Sequence, residues 1–463
     1  MDQIKDIVVL GGGSGGFAAA VRAAQLGGSV ALVEEADLGG NCMHAACIPL
    51  TFLMRVGAFL ETSRHLASLG IVAHEPKIDL ASLHQRKETI IEVLRMGTEE
   101  QLHDYGITVV QGRGRLASPD TVVVGDQRIK GRAVVIATGS VAGQLPVDGG
   151  DLPGVLSTRQ AMELQEVPET LAVIGNEPWE IEFTQVFTAL GSQVTLLSGD
   201  GRLLPEADRE ISQRLAKHLH DSGVDVRRGV EVAGIRDVEG DKLELILTDD
   251  QEPVVVQRVL ASPRFPNSTG IGLRQVGIRT AGGAVVVDHR MRTNLPGVYA
   301  VGDVTGAPMW SHKAHAEGIT AAENAMGLDE SGARSMDDAT LPRCLHTSPE
   351  VAWVGLTAEA ARERGLNVRV GKVPIAINPQ AMILGQTGGA VKVVSGSYGK
   401  ILGVHVMAPG AIDLVNVAAV AMLSEATVHE LMDLIPAHPS LGETLVDAAM
   451  DVEGRSLHLP RWF

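Results

Sequence analysis

The chain has little cysteine, no excess of positive charge and no long apolar run. Among its 463 residues there are three cysteines, Cys42, Cys47 and Cys344. That is too few for a secreted disulfide framework. With 56 acidic against 39 basic residues, the net charge of −17 argues against nucleic acid or an anionic membrane as the main partner. Acidity here reads as a solubility feature. The most apolar late stretch, around residues 414–423, is too short to span a bilayer and follows Asp413. The N-terminus enters a strand with no signal-peptide pattern, so a reducing, cytoplasmic compartment is expected. The chain ends LHLPRWF, with no cysteine near its terminus.

Against that scarcity, two of the three cysteines stand close together in GGNCMHAACIP. Such a pair is either redox-active or part of a metal site. A metal would need two further ligands. His44 lies between the thiols, but three ligands rarely converge within one tight turn, so no metal is expected. His44 is instead placed to stabilise a thiolate if protonated. Cys344 reads as a buried small hydrophobe.

The pair follows a complete strand–loop–helix–strand start. Ile7–Leu10 is a short apolar strand, GGGSGG follows, FAAAVRAAQLG has a helical pattern, and SVALVEE forms a second strand reaching Glu34. Gly11, Gly13 and Gly16 match G-x-G-x-x-G. They supply the tight turn, the close approach of a pyrophosphate and the packing of helix on strand. The helix N-terminus then faces the phosphates, and Glu34 is placed to accept ribose hydroxyls. Two further strand-to-turn segments are AVVIATGS, carrying Thr138 and Gly139, and TNLPGVYAVGDV, carrying Gly302 and Asp303.

Together these motifs resemble the pyridine nucleotide–disulfide oxidoreductases, and within them the dihydrolipoamide dehydrogenases most closely. GAPMWSHKAHAEG, SPEVAWVGLT, GKILGVHVMAPGA and AHPSLGETLVDAA follow in the same order as the corresponding segments there. The resemblance covers nearly the whole chain. It implies an α/β protein with two nested Rossmann-like dinucleotide-binding domains and a C-terminal α+β dimerisation domain. Residues 1–149 and 271–339 would form the FAD-binding and central part, 150–270 an inserted NAD-type domain, and 340–463 the dimerisation domain. It further implies FAD, held in part by Asp303 at its ribityl chain, and a homodimer in which each site is completed by the other subunit. Cys42 would be the interchange thiol and Cys47 the charge-transfer thiol of a redox disulfide. His438 would be the base for a dithiol substrate, oriented by Glu443. A plainer reading has His438 capping a helix that opens at Pro439. Absence of a C-terminal cysteine pair separates the chain from mercuric reductases and from high-molecular-weight thioredoxin reductases.

The departures from that family all fall on the nicotinamide side. The second glycine loop reads Gly175-Asn176-Glu177-Pro178-Trp179-Glu180, with glutamates where small residues are usual. These are expected to fill and repel the pyrophosphate position and to cap the helix themselves. Ser198 ends the next strand where NAD-binding members carry an acid. Pro263 replaces a glycine in the closing turn. Thr51 replaces a lysine that would pair with Glu182, leaving Glu182 without its partner and the flavin without a neighbouring cation. Trp179 falls where it can block the nicotinamide face.

The expected function is thus FAD-dependent dithiol–disulfide exchange with a dihydrolipoyl-type substrate, free or on a lipoylated protein. The electron partner would be something other than NAD(P), such as a quinone, another flavoprotein, an iron–sulfur protein or oxygen. Two alternatives stand beside it: an NAD-linked dihydrolipoamide dehydrogenase with a rebuilt loop, and a non-catalytic FAD-binding subunit of a larger complex.

Overall fold

A computed structural model describes residues 4–460 apart from 65, 73, 75, 250 and 328–333. Of the terminal LPRWF segment, Arg461, Trp462 and Phe463 lie outside the described residues.

The strand Lys5–Leu10 is the centre of the first sheet. It runs parallel to Val30–Glu34, with Ile7 opposite Val30, and to Gln127–Ile136, with Ile7 opposite Ala133. Ile7, Val8 and Val9 are wholly buried. An uninterrupted apolar run is what a parallel strand covered on both faces requires. Thr108–Gln111 extends the sheet beyond Val30–Glu34. The chain leaves this sheet after Ile136 and returns at Val298–Ala300, which pairs in parallel with Gln127–Ile136. The excursion builds a second sheet of five parallel strands. Its order is Asp225–Arg228, Gln193–Ser198, Thr170–Ile174, Arg258–Leu260, Val155–Leu156. The two nested units of the sequence analysis are therefore present as two separate sheets.

The helices Ser14–Gln25 and Ser311–Ala325 pack closely against each other. Gly318 permits this, since a Cβ there would stand 2.2 Å from the Gly15 carbonyl oxygen. After residue 340 the chain forms an antiparallel five-stranded sheet in which Glu350–Gly355 pairs with Ile401–Ala408. The helices Ala411–Leu423 and Gly442–Val452 pack on its strands.

Gly40–Arg64 is the one helical stretch among the described residues long and apolar enough to cross a membrane. It consists of the short helix Gly40–His44 and the helix Cys47–Arg64. Leu50, Leu53 and Met54 of the latter share a core cluster with Ile181, Phe183 and Phe187 of the helix Pro178–Leu190. Its apolarity thus serves contact between the first and second units and fixes the cysteines it carries.

Candidate active site

The first glycine loop is shaped by contacts that leave no room for a side chain. Gly11 has φ +108°, and a Cβ on it would lie 2.3 Å from the Ala137 carbonyl oxygen. A Cβ on Gly16 would lie 1.8 Å from the carbonyl oxygen of Gly11. Glu34 accepts from the backbone N–H groups of Gly12 at 2.6 Å and Ala36 at 2.9 Å. A cavity of about 350 Å³ runs from this loop past Glu34, Thr138, Gly139 and Asp303 to Cys42. The glycine cradle, the acid at its strand end and the elongated cavity fit an FAD. Gly16→Ala is expected to overpack the turn, costing about 1–3 kcal/mol. The purified variant should hold clearly less flavin per chain than the wild type, measured by absorbance against protein content.

At the other end of the cavity, Gly302 and Asp303 are held from outside. The buried Glu317 accepts from the Gly302 N–H at 2.6 Å and pairs with Lys313 at 2.6 Å. Asp303 accepts from the Ser140 hydroxyl at 2.6 Å and lies 3.5 Å from an Arg264 guanidinium nitrogen. Arg264 also donates to the Met309 carbonyl. It follows Pro263 directly, so the altered turn still delivers an arginine to the central acid. Sequence reading gave it no role.

Cys42 and Cys47 are both free thiols and half-buried. The hydrogen bond from Cys47 brings Cys42 down to about 7, with help from Ser311 and Ser14 against desolvation. The same contact pushes Cys47 up, as do burial and the nearby charges of Cys42 and Glu182. The pair therefore keeps one proton between its two sulfurs near neutrality. Ser311 Oγ is 3.5 Å from Cys47 Sγ and 3.2 Å from Ser14 Oγ. His44 Nε2 lies 2.8 Å from the Leu38 carbonyl oxygen.

Glu182 is also not left without a partner. It is buried on the helix Pro178–Leu190, and Oε1 accepts from the His346 backbone N–H at 2.6 Å. The same oxygen lies 3.2 Å from His346 Nδ1. Thr51 sits one helical turn beyond Cys47 and offers no charge. A histidine from another segment takes the place of that missing partner.

In the second glycine loop, Gly175 has φ +132° and its open side is filled by the Glu180 carboxyl. Glu180 accepts from the Glu177 N–H at 2.6 Å, which caps the helix Pro178–Leu190 from within. Burial raises Glu180 to about 8, so it is mostly uncharged at neutral pH. Burial raises Glu177 as well. The expected charge repulsion from Glu180 is thus a matter of volume and of an occupied N–H instead. Trp179 packs edge-on against Phe183, with ring centroids 6.3 Å apart. Ser198 is buried and bonded by Asn176 Nδ2 at 3.1 Å, while Asp200 accepts from the same amide at 2.8 Å. An acid is therefore present two residues past the expected place. Beyond it, Arg202, Arg209 and Arg228 line a pocket with Asp200.

His438 and Glu443 meet through His438 Nδ1 and Glu443 Oε1 at 2.9 Å. Glu443 Oε2 accepts from the Ser440 N–H at 2.8 Å. The helix begins at Gly442, so Pro439 precedes it and does not open it. His438 is largely exposed and does not line the cysteine cavity of its own chain.

Comparison with known proteins agrees with this geometry. The pyridine nucleotide-disulphide oxidoreductase family model matches residues 5–318, and the model of that family's dimerisation domain matches residues 341–449. A dihydrolipoyl dehydrogenase of Thermus scotoductus is 35% identical over 98% of this chain and 98% of its own. Among solved structures, LpdA of Mycobacterium tuberculosis superposes with a TM-score of 0.88 at 28% identity, covering 96% of this chain and 98% of its own. The Cu(II) complex of the HOCl-induced flavoprotein disulfide reductase RclA of Escherichia coli gives 0.86 at 28% identity, covering 96% and 99%.

Proposed function

The chain belongs to the pyridine nucleotide-disulphide oxidoreductase family, and from that premise we propose that it oxidises a dihydrolipoyl-type dithiol and passes the electrons to an acceptor other than NAD(P). The family and the FAD-dependent disulfide chemistry are given by the matches to both family models and by the dihydrolipoyl dehydrogenase relatives. The substrate, the acceptor and the sharing of sites between subunits are our reading.

In that reading His438 of the partner subunit takes the proton from a substrate thiol. The thiolate attacks Cys42 of the Cys42–Cys47 disulfide, forming a mixed disulfide and releasing Cys47 as thiolate. The second substrate thiol then displaces Cys42, closing the substrate disulfide. Two electrons now reside on the cysteine pair; one proton stays with the pair and one with the base. FAD bound in the adjoining cavity supplies the two-electron acceptor that lets the pair close again. The observation that carries the dithiol half is the pair of free, half-buried thiols of which Cys42 lines that cavity.

The acceptor half rests on Glu180. Its carboxyl lies against Gly175 and holds the N–H that would otherwise face a pyrophosphate. A second reading, an NAD-linked dihydrolipoamide dehydrogenase with a rebuilt loop, is favoured by one observation: the pocket lined by Arg202, Arg209 and Arg228 suits a phosphate-bearing ligand. An anaerobic flavin spectrum separates the two. Dihydrolipoamide should reduce the flavin, and excess NAD⁺ should leave it reduced. Prompt reoxidation with NADH formation would establish the second reading.

A further inference from the structure

The chain crosses between the first and second units twice, and the two crossings are zipped together beside the flavin cavity. Ser140–Ala142, on the way out, pairs antiparallel with Arg264–Pro266, on the way back, and Arg264 stands opposite Ala142. The Asn267 N–H donates to the Gly139 carbonyl at 2.8 Å, and the Gly143 N–H donates to the Pro263 carbonyl at 2.7 Å. Thr138 Oγ1 donates to the Asn267 carbonyl at 2.7 Å. This ribbon fixes the backbone from which the Arg264 side chain reaches out. One guanidinium nitrogen lies 3.5 Å from Asp303 Oδ2. The other terminal nitrogen donates at 3.2 Å to the carbonyl of Met309, two residues before the helix Ser311–Ala325. One side chain thus ties the ribbon to two other segments.

Asp303 lines the flavin cavity, whereas Arg264 stands behind it, outside the lining. The Ser140 hydroxyl and the Arg264 guanidinium both meet Asp303 at the same oxygen, Oδ2. Oδ1 takes no hydrogen bond from the described residues. A carboxylate pinned by one oxygen keeps the other for a ligand hydroxyl. The Asp303 side chain is only 17% exposed, and a carboxylate so covered needs a partner. Arg264 is the only cation within ion-pair distance of it among the described residues. We propose that Arg264 is a positioning residue for the flavin: from behind the cavity wall it holds Asp303 so that the free carboxylate oxygen meets a hydroxyl of the cofactor's sugar-alcohol chain. The tie does not depend on which acceptor later takes the electrons. It also assigns a use to the closing turn, which carries Pro263 in place of the family's glycine and still delivers Arg264.

The test follows release of FAD from the diluted holoenzyme, read as the rise in free-flavin fluorescence. Arg264→Gln should release FAD at least about tenfold faster than the wild type, the loss expected for a charge-assisted tie. Arg264→Lys, which keeps the charge, should release it more slowly than Arg264→Gln. Asp303→Asn should also release FAD faster, and the double variant decides. If Arg264 acts through Asp303, adding Arg264→Gln to Asp303→Asn should change the rate by less than about twofold. Full multiplication of the two single effects would make Arg264 a general structural prop and overturn the proposal. A wild-type release rate in Arg264→Gln would overturn it too. Should Arg264→Gln fail to fold, Arg264→Lys takes its place in the cycle with Asp303→Asn, and independent effects there count equally against the proposal. The readout uses neither dithiol nor acceptor, so its outcome is separate from that of the function proposed above.

Discussion

A Cys47→Ser enzyme is expected to bind flavin normally and to lose dithiol oxidation to background, a fall of at least about a thousandfold. The half-reaction needs a disulfide, and a disulfide needs both sulfurs. Cys42→Ser should be equally inactive, and the double variant no worse than either single one, because the two residues act as a unit. Neither substitution removes an apolar core side chain: both cysteines are half-buried, and their polar contacts are to each other, Ser311 and Ser14. Serine is a close steric match, so melting temperature and flavin content should stay near wild type. The check is the anaerobic flavin spectrum with excess dihydrolipoamide: bleaching in the wild type, none in the variants. Bleaching of the Cys47→Ser flavin at an undiminished rate would mean that electrons reach it without the disulfide. A scaffold role makes the opposite biological prediction, since a Cys42→Ser chain would then keep its function in the cell.

Much of this architecture was legible because its signals are local. The first strand, glycine turn and helix lie within the first 25 residues, and Gly11 and Gly16 each answer to a contact a Cβ would violate. The capped second loop was also readable, since Glu177 and Glu180 are three apart at a helix start, where an acidic side chain reaches back to a free N–H. What stayed hidden depends on distance along the chain or on burial. Glu182 looked orphaned because Thr51 is neutral, and nothing in the local pattern around Cys344–His346 announces that a backbone N–H and a ring will arrive there. Arg264 gains its meaning only when the return to the first sheet places Asp303 against it. The charge state of Glu180 follows from enclosure in the turn, which no spacing rule conveys.

His438→Gln should lower kcat/KM for a dithiol by about 10²–10⁴, the range for loss of a general base, without changing flavin content. His438 is exposed in its own chain, so its removal leaves no buried cavity. Glu443 should matter less and through orientation. Hydrogen bonds from His438 and the Ser440 N–H hold its carboxyl below the ordinary carboxylate range. A carboxylate lowered in this way stays ionised through neutral and mildly acid pH and is lost only as pH falls through the lowered value. The acid limb of the wild-type rate should therefore not follow Glu443. The stronger test concerns which chain supplies the base. Pure Cys47→Ser and pure His438→Gln dimers should both be nearly inactive. In a mixed dimer of the two, shared sites place the intact His438 of one chain against the intact cysteine pair of the other. One site is then whole and the other doubly defective, so purified heterodimers should recover about half of the wild-type rate. If each chain used its own histidine, both sites of the mixed dimer would be broken and no activity would return. Recovery requires that His438 act across the interface, which its exposure and its absence from the local cavity lead one to expect.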